Sequence, residues 1–152
     1  MNDQEKNIVE KLFGDISESE KLKIIKEISN PEVLYSFMYN YNWNDGFVVP
    51  KEVLNNKNCD LGTALLIFYL ADGYRLLEDR ESYNNANLSE WGTFIKNLFD
   101  KIQSESFKKS KLAYTPELTK VQKYKLRKSN PDISPVFIEG VDGEIVDKDI
   151  LK

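Results

Sequence analysis

Apolar residues recur at intervals of three and four along most of this chain, which is the spacing that places side chains on one face of an α-helix. The longest such pattern runs from Trp91 to Ile102, and shorter ones begin at Leu22 and Leu34. These patterns predict a mainly α-helical protein. The apolar positions are Leu22, Ile25 and Ile28, then Leu34, Phe37, Met38 and Tyr41, and finally Trp91, Phe94, Ile95, Leu98, Phe99 and Ile102.

Polar residues that cap helices precede several of these patterns. Ser17 with Glu20 fits a capping box, in which the hydroxyl accepts a hydrogen bond from the third amide and the glutamate reaches back. Asn30 before a proline and Asp60 before an apolar run predict two further helix starts. Thr115, also followed by proline, predicts another.

The segment from Leu61 to Ala71 is apolar around most of its circumference, and Gly73 is its predicted C-terminal stop. A helix of this kind has to be covered on several sides, so we place it at the centre of a helical bundle. Alternating short and long helices leave a small solenoid-like arrangement open. The expected fold is therefore a single-domain helical bundle, with a solenoid-like arrangement as the alternative.

The last part of the chain has a different pattern. β-Branched and aromatic residues lie on both sides of the Asp142-Gly143 pair between Pro135 and Val146, which is a strong short-range signal for a β-hairpin. A lone hairpin is only marginally stable in water, so it should pack on the helices. We predict a helical body over residues 1–130, with a C-terminal hairpin and tail over residues 131–152 on the same domain.

Composition excludes several kinds of chemistry. The chain has no histidine and one cysteine, Cys59, so it cannot supply a Ser-His-Asp or Cys-His arrangement, a histidine-ligated zinc site or an intrachain disulfide. A nucleophilic thiolate at Cys59 would have no histidine base, and the adjacent Asp60 would oppose its ionisation. We therefore expect a buried structural cysteine, no catalytic residues, no bound metal and no cofactor.

Charge and hydropathy narrow the expected location and partners. The net charge is −4 and the isoelectric point is near 5.0. Lysines and arginines concentrate between Lys108 and Lys128. We do not expect a nucleic-acid partner, because dedicated nucleic-acid binders are basic overall. These basic side chains are expected instead to pair with acidic parts of the same chain. The polar start Met1–Lys6 and the shortness of the Leu61–Ala71 run predict cytoplasmic residence without a membrane span.

The segment from Tyr39 to Phe47 is rich in carboxamides and aromatic residues. A calcium loop does not fit, because counting from Asn40 the sixth position is Asp45 and the twelfth is Lys51, where glycine and glutamate are needed. One interpretation is a turn in which Asn and Asp side chains bond the neighbouring backbone and aromatic residues anchor it. The other is a recognition surface that uses Trp43.

Two short motifs carry a resemblance to a known family. The element from Tyr41 to Phe47, Tyr-Asn-Trp-Asn-Asp-Gly-Phe, is followed by Cys-Asp-Leu-Gly-Thr-Ala from Cys59 to Ala64. Together they resemble the signature of the DUF4274-like family of uncharacterised bacterial domains, over roughly Ser29 to Asp100. The resemblance assigns no site residues. The chain is similar in these motifs to domains found near toxins and their immunity partners, and this resemblance implies an immunity-type role.

Two classes of function follow as hypotheses. The first is a non-enzymatic binding protein, specifically an immunity protein that neutralises a basic bacterial toxin by direct association, with negative charge steering the encounter. The alternative is a small ligand-binding domain or a carboxylate-based enzyme, with a pocket near Tyr39, Tyr41 and Asp60. The candidate contact residues for the first hypothesis are Trp43, Asn44, Asp45, Glu52 and Asp60.

Overall fold

The structure is a computed structural model, and it describes residues 1–146 of the chain. The prediction of a mainly α-helical protein is confirmed, because helices account for most of the described residues. Single turns of 3-10 helix lie at Trp43–Asp45, Ser82–Asn84 and Ala86–Leu88. The α-helices of the described part are α1 (Asp3–Leu12), α2 (Glu18–Glu27), α3 (Pro31–Tyr39), α4 (Val48–Asn55), α5 (Leu61–Leu70), α6 (Gly73–Glu78), α7 (Ser89–Gln103), α8 (Lys120–Ser129) and α9 (Val136–Glu139).

Three of the predicted helix starts are confirmed by their caps. The Ser17 hydroxyl accepts from the third amide of α2 at 3.2 Å, whereas the return bond from Glu20 that a capping box requires does not form within the described residues. The Asn30 side chain accepts from the second amide of α3 at 3.0 Å, and the Asp60 carboxylate accepts from the Thr63 amide of α5 at 3.0 Å. Each cap satisfies an amide that the first turn of a helix cannot pair internally.

Two predicted helix boundaries are wrong. The helix expected from Thr115 begins at Lys120 instead, where Thr119 and Gln122 form a capping box, so the chain before it stays extended. Helix α5 ends at Leu70 rather than at about Asp72, so Gly73 is not its stop. That glycine begins α6 and lies against Phe68, where an added Cβ would be 2.4 Å from the ring.

The predicted central position of α5 is confirmed. This helix packs against α3, α6 and α7, while α1 packs on α3 and α2 packs on α4. Seven consecutive residues of α5, from Gly62 to Phe68, are buried. Removal of so much apolar surface from water is the main stabilising contribution of this arrangement. Within residues 1–146, no helix combines the length and the apolar character that crossing a bilayer requires.

The predicted C-terminal β-hairpin is wrong. Residues 1–146 contain isolated β-bridges but no strands, and the run expected to form the first strand is instead the one-turn helix α9. Val141 and Glu144 pair with Tyr114 and Leu112 rather than with each other. The backbone partners of Val141 and Glu144 therefore lie in the extended chain before α8. Local sequence signals do not reveal this pairing.

The physical reason for the difference is burial. Helix α9 places Phe137 and Ile138 in the core, where they are 0% and 3% exposed. The Phe137 ring lies 4.9 Å from that of Phe99 and 5.2 Å from that of Phe68, measured between centroids. A hairpin strand would direct successive side chains to opposite faces. Of the predicted unit 131–152, residues 147–152 lie outside the described part of the chain.

Candidate functional site

The turn between α3 and α4 is held by its own side chains. The Asn42 side chain accepts from the Asn44 amide at 3.0 Å, and the Asn40 side chain donates to a backbone carbonyl of α3 at 2.9 Å. The Tyr41 hydroxyl donates to the Gly46 carbonyl at 2.8 Å. These bonds are the ones that the structural interpretation of this segment predicts.

Trp43 anchors this turn to the helical core. Its ring is half-buried and its centroid lies 5.1 Å from that of Tyr41, 6.2 Å from that of Phe47 and 6.3 Å from that of Phe94 on α7. The indole nitrogen is buried, and no group within residues 1–146 forms a hydrogen bond with it. Most of this side chain is therefore committed to packing.

The other predicted contact residues differ in their exposure to solvent. Asn44 and Asp45 are exposed on the turn. Glu52 is half-buried on α4 and faces Lys26 of α2, with the charged atoms 3.7 Å apart. Asp60 is 3% exposed. Only the first two of these residues are presented openly to a partner.

Asp60 has a structural role that the sequence only partly indicates. One carboxylate oxygen caps α5 through the amide and hydroxyl of Thr63, at 3.0 and 2.9 Å. The other accepts from the amides of Lys111 and Leu112, at 2.8 and 2.9 Å. The residue thus fastens the extended segment before α8 to the start of the central helix. We therefore remove Asp60 from the predicted contact surface.

Cys59 is 3% exposed, in agreement with the expectation of a buried cysteine. Burial raises the pKa of its thiol, and the negative charge of Asp60 adds to that effect. The thiol therefore stays protonated at neutral pH, and the thiolate is the reactive form.

We expect Ellman's reagent at pH 8 to modify the Cys59 thiol of the folded protein at least about tenfold more slowly than the thiol of the protein unfolded in guanidinium chloride. The unfolded protein serves as the matched control, because it has the same thiol without the burial. Equal rates in the two states would show that the thiol is accessible or activated in the fold.

One large cleft of the described chain is lined by tyrosines. Its volume is about 750 Å³, and five of the eight tyrosines of the chain contribute to it. We call it the tyrosine cleft. Its lining residues are Tyr35, Tyr39, Leu66, Tyr69, Leu70, Tyr74, Ala113, Tyr114, Thr115, Glu117, Leu118, Gln122, Ile145 and Val146.

Segments far apart in the chain build this cleft. Helices α3, α5 and α6 supply four of the tyrosines, and the extended segment before α8 supplies Tyr114. The rings of Tyr69 and Tyr114 stack with centroids 5.9 Å apart. The Tyr69 hydroxyl donates to the carbonyl of Phe137, so the α9 turn holds this wall in place.

The hydroxyls of Tyr35, Tyr69 and Tyr114 remain protonated at neutral pH. Burial raises the pKa of Tyr35 to about 12. Burial also raises the pKa of Tyr69 and Tyr114 above the ordinary value, and the negative charge of Glu117 contributes at Tyr114. Phenols in this state offer hydrogen-bond donors and aromatic faces rather than bases.

Exposed apolar side chains concentrate at the opening of the cleft. Tyr39 and Leu70 are each 39% exposed, and Ile145 is 89% exposed. We call these three lining residues the cleft rim. Val121 and Tyr124, 62% and 64% exposed, lie on α8, the helix that contributes Gln122 to the lining. Apolar surface gathered in this way commonly marks a binding site.

The pocket predicted near Tyr39, Tyr41 and Asp60 corresponds only in part to the tyrosine cleft. Tyr39 lines the cleft, but Tyr41 bonds within its own turn and Asp60 is buried behind the lining. The four other tyrosines were missed. One usable signal was the spacing of Tyr35 and Tyr39, which places two polar-tipped aromatic rings on the same face of one helix.

The basic segment is partly engaged within the fold. Lys123 and Arg127 of α8 both pair with Glu139, as expected if basic side chains neutralise acids of the same chain. Within residues 1–146, no three or more cysteine and acidic side chains come close enough together to hold a metal ion.

Comparison with protein families finds a match for the middle part of the chain. Residues 29–103 match the model of the family described as a domain of unknown function, DUF4274. This match contains α3 to α7 and therefore three segments of the cleft, while Tyr114 and Ile145 lie beyond it. Neither the curated proteins nor the solved structures contain a significant match to this chain.

Proposed function

We propose that this chain, which carries a DUF4274 domain over residues 29–103, is a binding protein that acts by direct association with a protein partner. The tyrosine cleft and its rim form the contact surface in this proposal. It replaces the surface predicted around Trp43, because that side chain is largely committed to packing.

The observation that carries the proposal is the apolar surface around the cleft. Large apolar side chains that are exposed to water in the free protein add free energy to association when a partner covers them. Tyrosines are enriched among the residues that dominate protein–protein binding energies, because a large ring and a hydrogen-bonding tip act together. The cleft brings both kinds of side chain to one place.

The partner class that we propose is a basic toxin that this protein neutralises, as an immunity protein does. The net charge of −4 supports this partner class, as do the exposed acids Asp45 and Glu117. Negative charge speeds the encounter with a basic partner. Neutralisation by association requires no chemistry from the cleft, only complementarity of shape and charge.

Ile145→Asp tests this proposal. The side chain is 89% exposed on the rim, so the substitution should leave folding intact and weaken binding to a toxin domain encoded beside this chain at least about tenfold. Calorimetry with the purified toxin domain measures the affinity, and growth of cells that produce the toxin measures neutralisation.

Val48→Asp is the matched control, because this side chain is 50% exposed and does not line the tyrosine cleft. We expect its affinity for the same toxin domain to stay within about twofold of the original. If the Ile145→Asp variant binds as tightly as the Val48→Asp variant, the tyrosine cleft is not the interface. If neither variant nor the original chain binds or neutralises the toxin, the toxin proposal fails.

A second candidate function is binding of a small ligand in the same cleft, or catalysis on it. The favouring observation is the cleft volume of about 750 Å³, which lies within the range of about 300–1,000 Å³ usual for ligand sites. Thermal unfolding of the protein with a panel of small metabolites tests it. A ligand that stabilises the original chain but not a Tyr74→Leu variant would favour this function.

A further inference from the structure

The lining of the tyrosine cleft favours positive charge in a ligand. The faces of aromatic rings carry negative potential and attract cations within about 6 Å. Among the lining residues of the described chain, Glu117 is the one charged side chain, and none is a lysine or an arginine. A cation that enters would meet π faces, hydroxyl oxygens and a carboxylate.

Two acids near the cleft act in the same direction. Burial is the main cause of the raised pKa of Tyr35 and of Tyr114, and negative charge adds to it, from Asp60 at Tyr35 and from Glu117 at Tyr114. Asp60 is buried at the start of α5, and Glu117 lines the cleft. On α8, the cation Lys123 is drawn to Glu139, with the charged atoms 3.8 Å apart.

We propose that the tyrosine cleft binds the cationic side chain of an arginine or a lysine presented by the protein partner. The inference rests on the proposed function and adds the chemical class of the group that fills the cleft. The rings of Tyr74 and Tyr114 surround the cation, and Glu117 at the opening pairs with its charge. A planar guanidinium also stacks on aromatic faces.

Two short peptides test this inference without the toxin. One is acetyl-Gly-Arg-Gly-amide, and the other has citrulline in place of arginine, which keeps the shape but removes the charge. Titration is followed by the ring signals of ¹³C-labelled tyrosines in NMR spectra. We expect saturable shifts with the arginine peptide and affinity at least about tenfold weaker for the citrulline peptide.

Substitutions in the chain separate charge from aromatic contact. Glu117→Gln should weaken binding of the arginine peptide severalfold, whereas Glu10→Gln, at an exposed acid on α1 outside the cleft, should leave it unchanged. Tyr74→Leu removes a ring face and should weaken binding. Tyr74→Phe keeps the face and should bind almost as the original chain does.

The outcomes distinguish this inference from the proposed function. Equal affinity for the two peptides, or no saturable shift with either, would overturn the proposal that the cleft binds a cationic side chain. The proposed function is judged separately by the intact toxin domain and the Ile145→Asp variant. Loss of toxin binding in that variant, with normal binding by Glu117→Gln, would keep the interface and reject the cation.

Discussion

Phe137→Ala is expected to lower the free energy of unfolding by about 3–5 kcal/mol, as the loss of a fully buried phenylalanine does in other cores. The side chain is 0% exposed and stacks on Phe99. Its removal leaves a cavity between α9 and the central helices that rigid neighbours fill only in part. Chemical denaturation followed by circular dichroism measures the loss.

Tyr124→Ala is the control for this experiment. It also removes a large aromatic side chain, but from a position that is 64% exposed, so we expect a change within about 0.5 kcal/mol. Phe137→Leu should recover much of the lost stability because it refills most of the cavity. If Phe137→Ala unfolds at the same denaturant concentration as the original chain, the C-terminal segment does not stabilise the helical core.

Asp60→Ala is the second large effect that we expect. The substitution removes the cap of α5 and leaves the amides of Lys111 and Leu112 without their acceptor. Loss of a cap and of hydrogen bonds to a charged group should together lower the free energy of unfolding by about 3 kcal/mol. Thermal or chemical unfolding of the purified variant provides the measurement.

Asp45→Ala provides the comparison, because Asp45 is an exposed acid that lies in the same matched region, residues 29–103. Its replacement should change the free energy of unfolding by no more than about 0.5 kcal/mol. Similar stabilities for the Asp60 and Asp45 variants would contradict the structural role of Asp60. A folded Asp60→Ala protein with a displaced segment before α8 would also show altered Tyr114 ring signals in NMR spectra.

These two residues explain how the cleft obtains its wall. Asp60 holds the extended segment that leads to Tyr114, and Phe137 buries the turn whose carbonyl accepts from Tyr69. Neither residue lines the cleft. Both therefore support the candidate site through packing and backbone contacts. Variants at these positions report on stability before they report on binding.

Much of the helical structure could be predicted because its causes are local. The apolar period of α7 and the cap at Asn30 depend on residues no more than about four positions apart. The burial of α5 on several sides could also be predicted, because apolar residues follow one another along the whole of this segment. In contrast, the start of α8 was misplaced, because a proline after Thr115 also fits the extended segment that the structure contains.

The candidate site could be predicted only in small part. The sequence indicated Trp43 as a contact residue, since an aromatic ring in a polar turn fits both an anchor and a recognition surface. The structure places it against Tyr41, Phe47 and Phe94, where packing uses most of the ring. Glu52 likewise faces Lys26 of a neighbouring helix.

By itself, the sequence determined the helical class, the main helix starts and the exclusion of histidine chemistry, because periodicity, caps and composition need no knowledge of distant contacts. Only the tertiary structure decided that Val141 and Glu144 pair with the segment before α8, that Asp60 is buried, and that five tyrosines share one cleft. These features depend on which segments meet in space. The free energy that stabilises these contacts comes from the burial of apolar surface across the whole core. No local sequence pattern specifies that burial.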